Sequence, residues 1–373
     1  MTRVRLDKIV KEYDGVDQVT LTGYKNPPAL NEVSLEIKDG ETMSIVGPSG
    51  CGKSTMLKVV AGLEFPQKGH IFYNDFDITQ IKPQDRGVGM VFQDYALYPT
   101  MKGKGNLAYY FEMHEQSKEE MDARVKQTAQ LMGVDFELLL GRLPDTLSGG
   151  EKQRVAIARC IVRDPLVFLM DEPIVNLDAK RREQTRMEIK KLLRKFSITT
   201  IYVTHDQQEA VFMGDRITVM RNGSIEQVGT FDDLYYSPTN LFVATFIGTP
   251  PLNILPVEVT NGQVIMQGGR WQLPATLAAV IQPGKMRLGV RPEGWQLNTS
   301  DGVHLPVSHI ERIPTEQAAF IHGSLLDTHV IAVTYLEQPE ISRIAITPDW
   351  ERVYFFELEG EGIIHTPNVP EFF

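Results

Sequence analysis

The sequence of 373 residues predicts an α/β core that contains a helical subdomain and is followed by a small all-β barrel. A glycine-rich loop between a strand-like and a helix-like segment indicates the α/β core, as does the alternation of strand and helix patterns up to about residue 249. Beyond that point, short strand-like runs separated by Gly, Pro and Asn turns are typical of an all-β barrel. We predict domains at 1–245 and 246–373, with the helical subdomain at about 94–160.

The first part of the chain is predicted to be mainly strands. Short runs of β-forming residues predict strands at Val4–Leu6, Val33–Ile37, Thr42–Val46, His70–Tyr73 and Val88–Phe92. A polar loop is predicted at Asp14–Pro28, and a Pro-free segment predicts a helix from Thr55 until Gly62 ends it.

The second part of the core alternates helices and strands. One helical face is shared by Met121, Val125, Thr128 and Met132, which indicates a helical insertion. Helices are also predicted at Val155–Arg163 and Ala179–Phe196, strands at Leu166–Met170 and Thr199–Val203, and a hairpin at Ile217–Val228 around an Asn-Gly turn. Strands of the β domain are predicted at Val257–Thr260, Val264–Met266, Arg287–Val290, Ala318–Ile321, Val330–Tyr335 and Tyr354–Glu357.

The loop after the Thr42–Val46 strand has the phosphate-binding pattern G-x-x-x-x-G-K-[ST]. A strand, a glycine loop and a helix start direct several backbone N–H groups and the helix dipole at one point. Lys53 supplies a charge for the β- and γ-phosphates, and the Ser54 hydroxyl is placed to ligate Mg²⁺. The sequence therefore predicts a P-loop NTPase core that binds ATP with Mg²⁺ through Gly47, Pro48, Ser49, Gly50, Cys51, Gly52, Lys53, Ser54 and Thr55.

Two carboxylates follow the apolar Leu166–Met170 strand. If this strand is a parallel neighbour of the phosphate-loop strand, they face the same edge of the sheet. Asp171 is then placed to hold Mg²⁺, and Glu172 to polarise the attacking water. The alternative is an ordinary acidic strand end at the surface.

A second anion site is predicted at Ser148, Gly149 and Gly150, because a helix start with glycines exposes backbone N–H groups. Taken alone, a Ser-Gly-Gly turn is a common feature. One chain cannot easily bring both anion sites to one phosphate. Two chains that face each other head to tail would hold ATP between them.

Three further residues are candidates for ATP binding. Gln93 follows a strand and is a candidate Mg²⁺ ligand or sensor of the attacking water, and His205 is a candidate hydrogen-bond partner of the γ-phosphate. In isolation each is more often an ordinary polar residue. Tyr13 is the candidate to stack on adenine, with Tyr24 as its competitor.

Composition excludes several classes of protein. The net charge is −10 and the pI is near 5.4, which argues against bulk nucleic-acid binding. Residues 249–373 hold 7 Lys and Arg against 14 Asp and Glu, which suggests a separate acidic domain. Two cysteines, Cys51 and Cys160, cannot form a disulfide framework, so a reduced cytosolic setting is expected. The sequence has neither a signal-peptide pattern nor an apolar run of about 20 residues, so any membrane role is expected to come through a partner.

Six motifs, in this order, resemble those of the ATP-binding subunits of ABC transporters: GPSGCGKST, FQ, LSGGE, VFLMDEP, NLD and THD, at 47–55, 92–93, 147–151, 167–173, 176–178 and 204–206. VFQDYALYPTM at 91–101 and NLDAK at 176–180 resemble the carbohydrate importers of the maltose and glycerol-phosphate type. The segments FIGTPPLN at 246–253 and LGVRPEG at 288–294 are similar to the oligobinding-type regulatory domain of that group.

The resemblance implies an ATPase dimer at the cytoplasmic face of the cell membrane, bound to two permease subunits and indirectly to an extracytoplasmic solute-binding protein. It implies catalytic roles for Lys53, Gln93, Glu172 and His205, Mg²⁺ contacts for Ser54, Gln93 and Asp171, contact of Ser148–Gly150 with the other subunit's ATP, and a dimer contact for Asp178. The permease contact is expected around Gln93–Met101, whose apolar residues are alternatively part of the helical core. The second ATPase subunit is an identical or a different chain.

Three departures from the family pattern bear on these expectations. Glu151 stands where the signature commonly has Gln, Val175 stands where Ser commonly precedes Asn-Leu-Asp, and the segment 14–28 is longer than usual. Alternative functions are import of a non-sugar solute (glycerol phosphate, polyamine or inorganic ion), a non-transport regulatory ATPase, and a soluble ATPase of translation or DNA repair. The last group usually carries tandem cassettes or long coiled-coil insertions, and this sequence has neither.

Overall fold

The computed structural model describes residues 2–13, 28–133, 135–266, 268–313, 317–325, 327–335 and 342–367. The chain divides into two compact units, Met1–Val228 and Gly229–Phe373. The predicted boundary between residues 245 and 246 lies within the second of these units. Most of the predicted loop at 14–28, including Tyr24, lies outside the described residues.

The first unit contains the predicted α/β core. Its strands are β1 (Val4–Lys11), β2 (Leu30–Ile37), β3 (Thr42–Val46), β4 (Lys68–Tyr73), β5 (Phe76–Asp77), β6 (Val88–Val91), β7 (Val167–Asp171), β8 (Thr199–Val203), β9 (Arg216–Arg221) and β10 (Ser224–Gly229). Its α-helices are α1 (Lys53–Ala61), α2 (Gly103–Met113), α3 (Lys118–Met132), α4 (Phe136–Leu140), α5 (Gly149–Ile161), α6 (Ala179–Phe196) and α7 (Gln207–Met213). Short 3-10 turns lie at Pro83–Asp85 and Pro144–Thr146.

The central sheet has the strand order β10-β9-β3-β8-β7-β6, and β3, β6, β7, β8 and β9 run parallel. Every residue of β3 and β8 is buried, as expected for strands with both faces covered. The register pairs Val203 with Ile45 on one side and with Asp171 on the other. The carboxyl ends of β3, β8 and β7 therefore lie in one row. A second, antiparallel sheet has the order β2-β1-β4-β5.

The helical part packs α2 to α5 around one apolar cluster, as predicted from the sequence. Val125, Thr128 and Met132 on α3 are buried, and Met121 packs against the same cluster. Helix α5 begins at Gly149 rather than at the predicted Val155, because Ser148 caps it and two glycines occupy its first turn. In the part of the chain that the structure describes, no helix is both long and apolar enough to cross a bilayer.

The second unit is mainly β, which confirms the all-β prediction for the C-terminal part. Its strands are β11 (Asn253–Thr260), β12 (Gln263–Met266), β13 (Gly269–Gln272), β14 (Gly284–Val290), β15 (Trp295–Leu297), β16 (Val303–Ile313), β17 (Ala318–Leu325), β18 (Thr328–Thr334), β19 (Arg343–Pro348), β20 (Val353–Glu357) and β21 (Ile363–His365). Helices α8 (Phe231–Tyr236), α9 (Leu241–Phe246) and α10 (Ala275–Ala278), with 3-10 turns at Pro292–Gly294 and Trp350–Arg352, complete it. Two antiparallel sheets, β13-β12-β11-β14-β20-β21 and β15-β19-β16-β17-β18, share one apolar core in a barrel-like layout.

Arg291 of the LGVRPEG motif explains why α8 and α9 belong to the second unit. Its guanidinium is buried and donates hydrogen bonds to the carbonyl oxygens of Ala244, Ile247 and Tyr235. It also lies 3.9 Å from the centre of the Tyr235 ring. A charge-assisted network of this kind fixes both short helices against the β strands.

Candidate functional site

The phosphate loop is held in a conformation that requires glycine at two positions. Gly52 has φ 108°, and a Cβ there would lie 2.4 Å from the carbonyl oxygen of Ala29. At Gly47 an added Cβ would lie 2.2 Å from the carbonyl oxygen of Met220. The loop backbone is therefore packed tightly against neighbouring backbone, which leaves its path to α1 well defined.

Lys53, the first residue of α1, is 7% exposed. Its Nζ donates hydrogen bonds to the carbonyl oxygens of Gly47 at 2.8 Å and Pro48 at 3.0 Å. The ammonium group is thus held on the phosphate loop, at the N-terminus of a helix. A full positive charge with little water around it attracts phosphate oxygens strongly.

Ser54 and Asp171 are in contact although β7 is not adjacent to β3, the strand that leads into the phosphate loop. The predicted geometry assumed that β7 is next to β3, whereas β8 lies between them. Ser54, in the first turn of α1, nevertheless donates from Oγ to Asp171 Oδ1 at 3.0 Å. Burial raises the pKa of the Asp171 carboxyl, the Ser54 hydrogen bond lowers it, and the charge of Glu172 raises it. A hydroxyl and a carboxylate oxygen side by side fit a small divalent cation such as Mg²⁺.

Glu172 lies beside His205, at the ends of β7 and β8. Glu172 has a left-handed backbone (φ 46°), and its N–H donates to the carbonyl oxygen of Val203 at 3.0 Å. Its carboxylate oxygen Oε2 lies 3.2 Å from Nδ1 of His205. A left-handed conformation at a non-glycine residue is strained and here directs the carboxylate toward the next strand. Glu172, predicted to polarise the attacking water, and His205, predicted to contact the γ-phosphate, thus form one pair.

A buried polar network supports the His205 segment. A Glu in the first turn of α7 is the one feature of the sequence that points to this network. Glu209 is 5% exposed and accepts hydrogen bonds from the hydroxyls of Tyr202 and Thr204, the latter at 2.8 Å. Asp206 caps α7 by accepting from the Glu209 N–H. Burial raises the pKa of the Glu209 carboxyl. These contacts fix the turn on which His205 stands.

Gln93 is exposed at the end of β6, and the segment after it is strained. Tyr95 and Ala96 both have left-handed backbones, with φ 64° and 46°. Arg159 of α5 donates to the carbonyl oxygens of both residues, at 3.2 and 2.6 Å. Asn176 Nδ2 donates to the carbonyl oxygen of Gln93 at 2.9 Å. Arg159 and Asn176 therefore position the Gln93 segment. Arg159 lies outside the motifs that the sequence shows, and the NLD motif that contains Asn176 did not predict this contact.

The second predicted anion site, Ser148–Gly150, is the capped N-terminus of the 13-residue helix α5. Glu151 and Ser148 form a capping box, in which each side chain accepts a hydrogen bond from the other's backbone N–H. An added Cβ at Gly149 would lie 2.7 Å from Leu177 Cδ2. This end of α5 is therefore packed against the segment that follows Glu172. We call Ser148–Gly150 the signature half-site, and Gly47–Thr55 with Asp171, Glu172 and His205 the catalytic half-site.

Asp178 caps α6. Its Oδ1 accepts a hydrogen bond from the Arg181 N–H at 3.1 Å, and its Oδ2 lies 3.5 Å from Arg181 Nε. Both carboxylate oxygens are therefore engaged within the chain. The role in a dimer contact, expected from the family resemblance, stays a prediction.

Tyr13 lies near the start of α1. Its hydroxyl donates to Thr55 Oγ1 at 3.5 Å, its side chain is 45% exposed, and Lys11 Nζ lies 5.1 Å from the ring centre. An exposed ring beside the phosphate loop suits a base-stacking residue. The competing candidate, Tyr24, lies outside the described residues.

Comparison with known proteins identifies relatives along nearly the whole chain. The family model described as "ABC transporter" matches residues 30–175. The sn-glycerol-3-phosphate import ATP-binding protein UgpC of Escherichia coli O157:H7 is 41% identical over 349 residues, which cover 91% of this chain and 93% of that protein. UgpC of Ruegeria pomeroyi is 40% identical over 364 residues, which cover 96% of this chain and 98% of that protein.

Solved structures resemble the first part of the chain. One is the dimeric, post-hydrolysis ATP-binding cassette MJ0796 with ADP and Pi. It is 32% identical in sequence with a TM-score of 0.52, and the match covers 61% of this chain and 98% of the MJ0796 chain. Another is cbiO1 of Clostridium perfringens, part of the ABC transporter complex cbiONQ. It is 26% identical in sequence with a TM-score of 0.53, and the match covers 61% of this chain and 88% of the cbiO1 chain.

Proposed function

This chain belongs to the ABC transporter family of ATP-binding proteins, and from that premise we propose that it hydrolyses ATP to energise import of a carbohydrate or related solute. The family confirms the predicted ABC ATPase fold, and ATP and Mg²⁺ are the ligands of this family. The relatives named above import sn-glycerol 3-phosphate, which favours a phosphorylated polyol or a sugar as the solute. The observation that carries the proposal is the contact of Ser54 with Asp171 beside the Glu172–His205 pair.

The catalytic half-site supplies groups for each part of phosphoryl transfer. Lys53 exchanges its carbonyl partners for β- and γ-phosphate oxygens, and the loop N–H groups cradle the same phosphates. Ser54 and Asp171 would hold Mg²⁺, with Gln93 as a further oxygen ligand, and the ion would offset phosphate charge.

The Glu172–His205 pair acts on the attacking water. The Glu172 carboxylate orients the water and accepts its proton, while His205 contacts the γ-phosphate. The contact of 3.2 Å between Glu172 Oε2 and His205 Nδ1 keeps both side chains in one orientation. Loss of either group therefore disturbs the other.

We further propose that two identical chains pair head to tail, so that the signature half-site of one contacts ATP on the other. Backbone N–H groups in the first turn of α5 are free of helical partners and suit a phosphate. The dimeric form of the related cassette supports this arrangement. Asp178 lies two residues after Asn176, which binds the Gln93 backbone, so a dimer contact there would reach the Mg²⁺ ligands.

The permease is proposed to bind in a cleft of about 470 Å³ within the first unit, which places the ATPase at the cytoplasmic face of the membrane. Ala96 and Tyr98 of the predicted contact segment line it, together with Phe92 and the exposed residues Leu63 and Met113. Exposed apolar side chains around a cleft are typical of a protein-binding surface. Tyr95 and Leu97 instead belong to the helical core, in agreement with the alternative considered for them.

The test of this function is the Glu172→Gln variant. We expect phosphate release to fall at least about a hundredfold, because amide nitrogen and oxygen cannot accept the water's proton. ATP binding should survive, and size-exclusion chromatography with ATP and Mg²⁺ should show an accumulated dimer. The matched control is Glu183→Gln, at an exposed carboxylate of α6.

Equal hydrolysis rates for Glu172→Gln and the unmodified chain would reject Glu172 as the catalytic carboxylate. Full activity of a protein that stays monomeric at every ATP concentration would reject the shared site. Reconstitution with candidate permeases then identifies the solute, as the one among glycerol phosphate, sugars, polyamines and inorganic ions that stimulates hydrolysis.

A further inference from the structure

The signature half-site carries a negative charge next to the place where the proposed function puts a phosphate. Glu151 is the third residue of α5, directly after Gly149 and Gly150. The partial positive charge of a helix start attracts any anion, including a carboxylate of the same helix. Glu151 therefore competes with, and repels, a phosphate that approaches the first turn.

The capping box holds this carboxylate close to the half-site. Oε2 of Glu151 accepts a hydrogen bond from the Ser148 N–H at 2.7 Å. The hydrogen bond to the Ser148 backbone is the main reason why the pKa of the Glu151 carboxyl is lower than usual. The side chain is therefore ionised at neutral pH, and its charge stays at the helix start.

Arg142 is positioned to cancel that charge. Its Nη1 donates to Glu151 Oε1 at 2.9 Å, and its Nη2 donates to the carbonyl oxygen of Thr146. The Arg142 backbone is also fixed, since its carbonyl oxygen accepts from the Gly103 N–H at 2.9 Å and its N–H donates to the Leu139 carbonyl oxygen at 3.2 Å. Contacts at both ends of the residue hold the guanidinium on Glu151.

We propose that Arg142 is a positioning residue of the signature half-site. It neutralises Glu151, so that Ser148, Gly149 and Gly150 can bind the phosphates of ATP that is held by a second copy of the chain. The inference rests on the proposed function. The side chains of Arg142 and Glu151 are 42% and 30% exposed, so the pair adds little to folding stability. The main effect of the pair is local: Arg142 reduces the repulsion between Glu151 and an anion that approaches the start of α5.

A purely structural role for Arg142 predicts a different pattern of variants. If Arg142 only anchors the turn at Pro144–Thr146, its loss is not repaired by a change at Glu151. If it cancels a charge, removal of the Glu151 charge repairs the loss. The variants Arg142→Gln, Glu151→Gln and the double variant Arg142→Gln/Glu151→Gln separate the two roles.

The measurement is the rate of phosphate release as a function of MgATP concentration. We expect Arg142→Gln to raise KM for ATP about tenfold, because a carboxylate without its partner repels the phosphates across the interface. The double variant should return KM to within about threefold of the unmodified chain. Raising the salt concentration should shrink the defect of Arg142→Gln, because both charges are partly exposed and are screened.

Two controls complete the design. Arg142→Lys keeps the positive charge and should leave KM near that of the unmodified chain. Arg124→Gln removes another arginine of the helical part, which pairs with Asp164, and should not change KM. Thermal unfolding of each variant shows whether it is folded.

An unchanged KM in Arg142→Gln, or a double variant as impaired as Arg142→Gln, would overturn the inference while leaving the proposed function in place. An unmodified chain that neither hydrolyses ATP nor dimerises would overturn the proposed function, and this inference with it.

Discussion

Under the proposed function, the catalytic and signature half-sites both bind phosphate, but they do so by different physical means. The catalytic half-site uses a buried ammonium group at Lys53, and its partly buried carboxylate at Asp171 would act on phosphate only through Mg²⁺. The signature half-site uses the capped start of α5, whose partial charge is weaker and partly exposed to water. Full charges with little water around them interact more strongly than partial charges at a surface. Substitutions should therefore cost more activity in the catalytic half-site.

The largest expected effect is that of Lys53→Ala. Hydrolysis should fall at least about a hundredfold, because the only full positive charge on the phosphate loop is removed from a site shielded from water. The measurement is phosphate release at saturating MgATP. The control Lys58→Ala changes an exposed lysine of the same helix. If Lys53→Ala loses no more hydrolysis activity than a substitution in the signature half-site, the two half-sites do not differ in strength as argued above.

The second effect concerns Asp171→Asn, for which activity and stability should move in opposite directions. Mg²⁺-dependent hydrolysis should be lost, because an amide is a weak ligand for the ion. Burial raises the pKa of Asp171 above its ordinary value, so the folded chain binds the proton more tightly than the unfolded chain. The tighter binding of this proton stabilises the folded chain at low pH. The stabilisation is lost as the pH rises from the ordinary pKa of Asp171 through its raised pKa.

At pH 7, without Mg²⁺, Asp171→Asn should therefore melt about 1 to 3 °C higher than the unmodified chain. Thermal unfolding in the presence of a chelator measures this. Asp75→Asn, at a side chain that is 92% exposed, serves as the control and should leave the melting temperature unchanged. A lower melting temperature for Asp171→Asn would show that the ionised carboxylate stabilises the fold instead.

The smallest effect is expected in the signature half-site, for Ser148→Ala. Loss of the cap should destabilise the protein by about 1 kcal/mol. Hydrolysis should fall about tenfold, because the helix start is less well ordered toward the partner's phosphates. Ser117→Ala is a closely matched control, since Ser117 caps α3 with the same capping box through Glu120. Equal activity losses in both variants would assign Ser148 a structural role alone.

The local sequence pattern was sufficient to predict most of the helices and strands of the first unit. The continuous apolar run at Val167–Met170 forms a buried parallel strand, and the face of α6 that carries Ile189 and Leu193 packs into the core. The Asn222-Gly223 turn joins β9 to β10 with both residues at positive φ, as the hairpin prediction requires. These features follow from burial and turn geometry within a few residues of chain.

Strands with mixed faces were harder to predict. Val303–Ile313 is the longest strand of the second unit, yet its exposed polar residues and Pro306 break the alternation in its sequence. Its pairing with β17 and β19 holds it in place. Here long-range hydrogen bonds override local preference.

Residue type and spacing were enough to predict the chemical groups of the candidate site, because a phosphate loop, two carboxylates at a strand end and a glycine-rich helix start are local patterns. Which of these groups contact one another depends on the fold. It brings Ser54 to Asp171 past an intervening strand, and it places Arg142 on Glu151 and Arg159 on the Gln93 segment. Contacts between residues far apart in sequence depend on strand order and helix packing, which residue type and spacing do not encode locally.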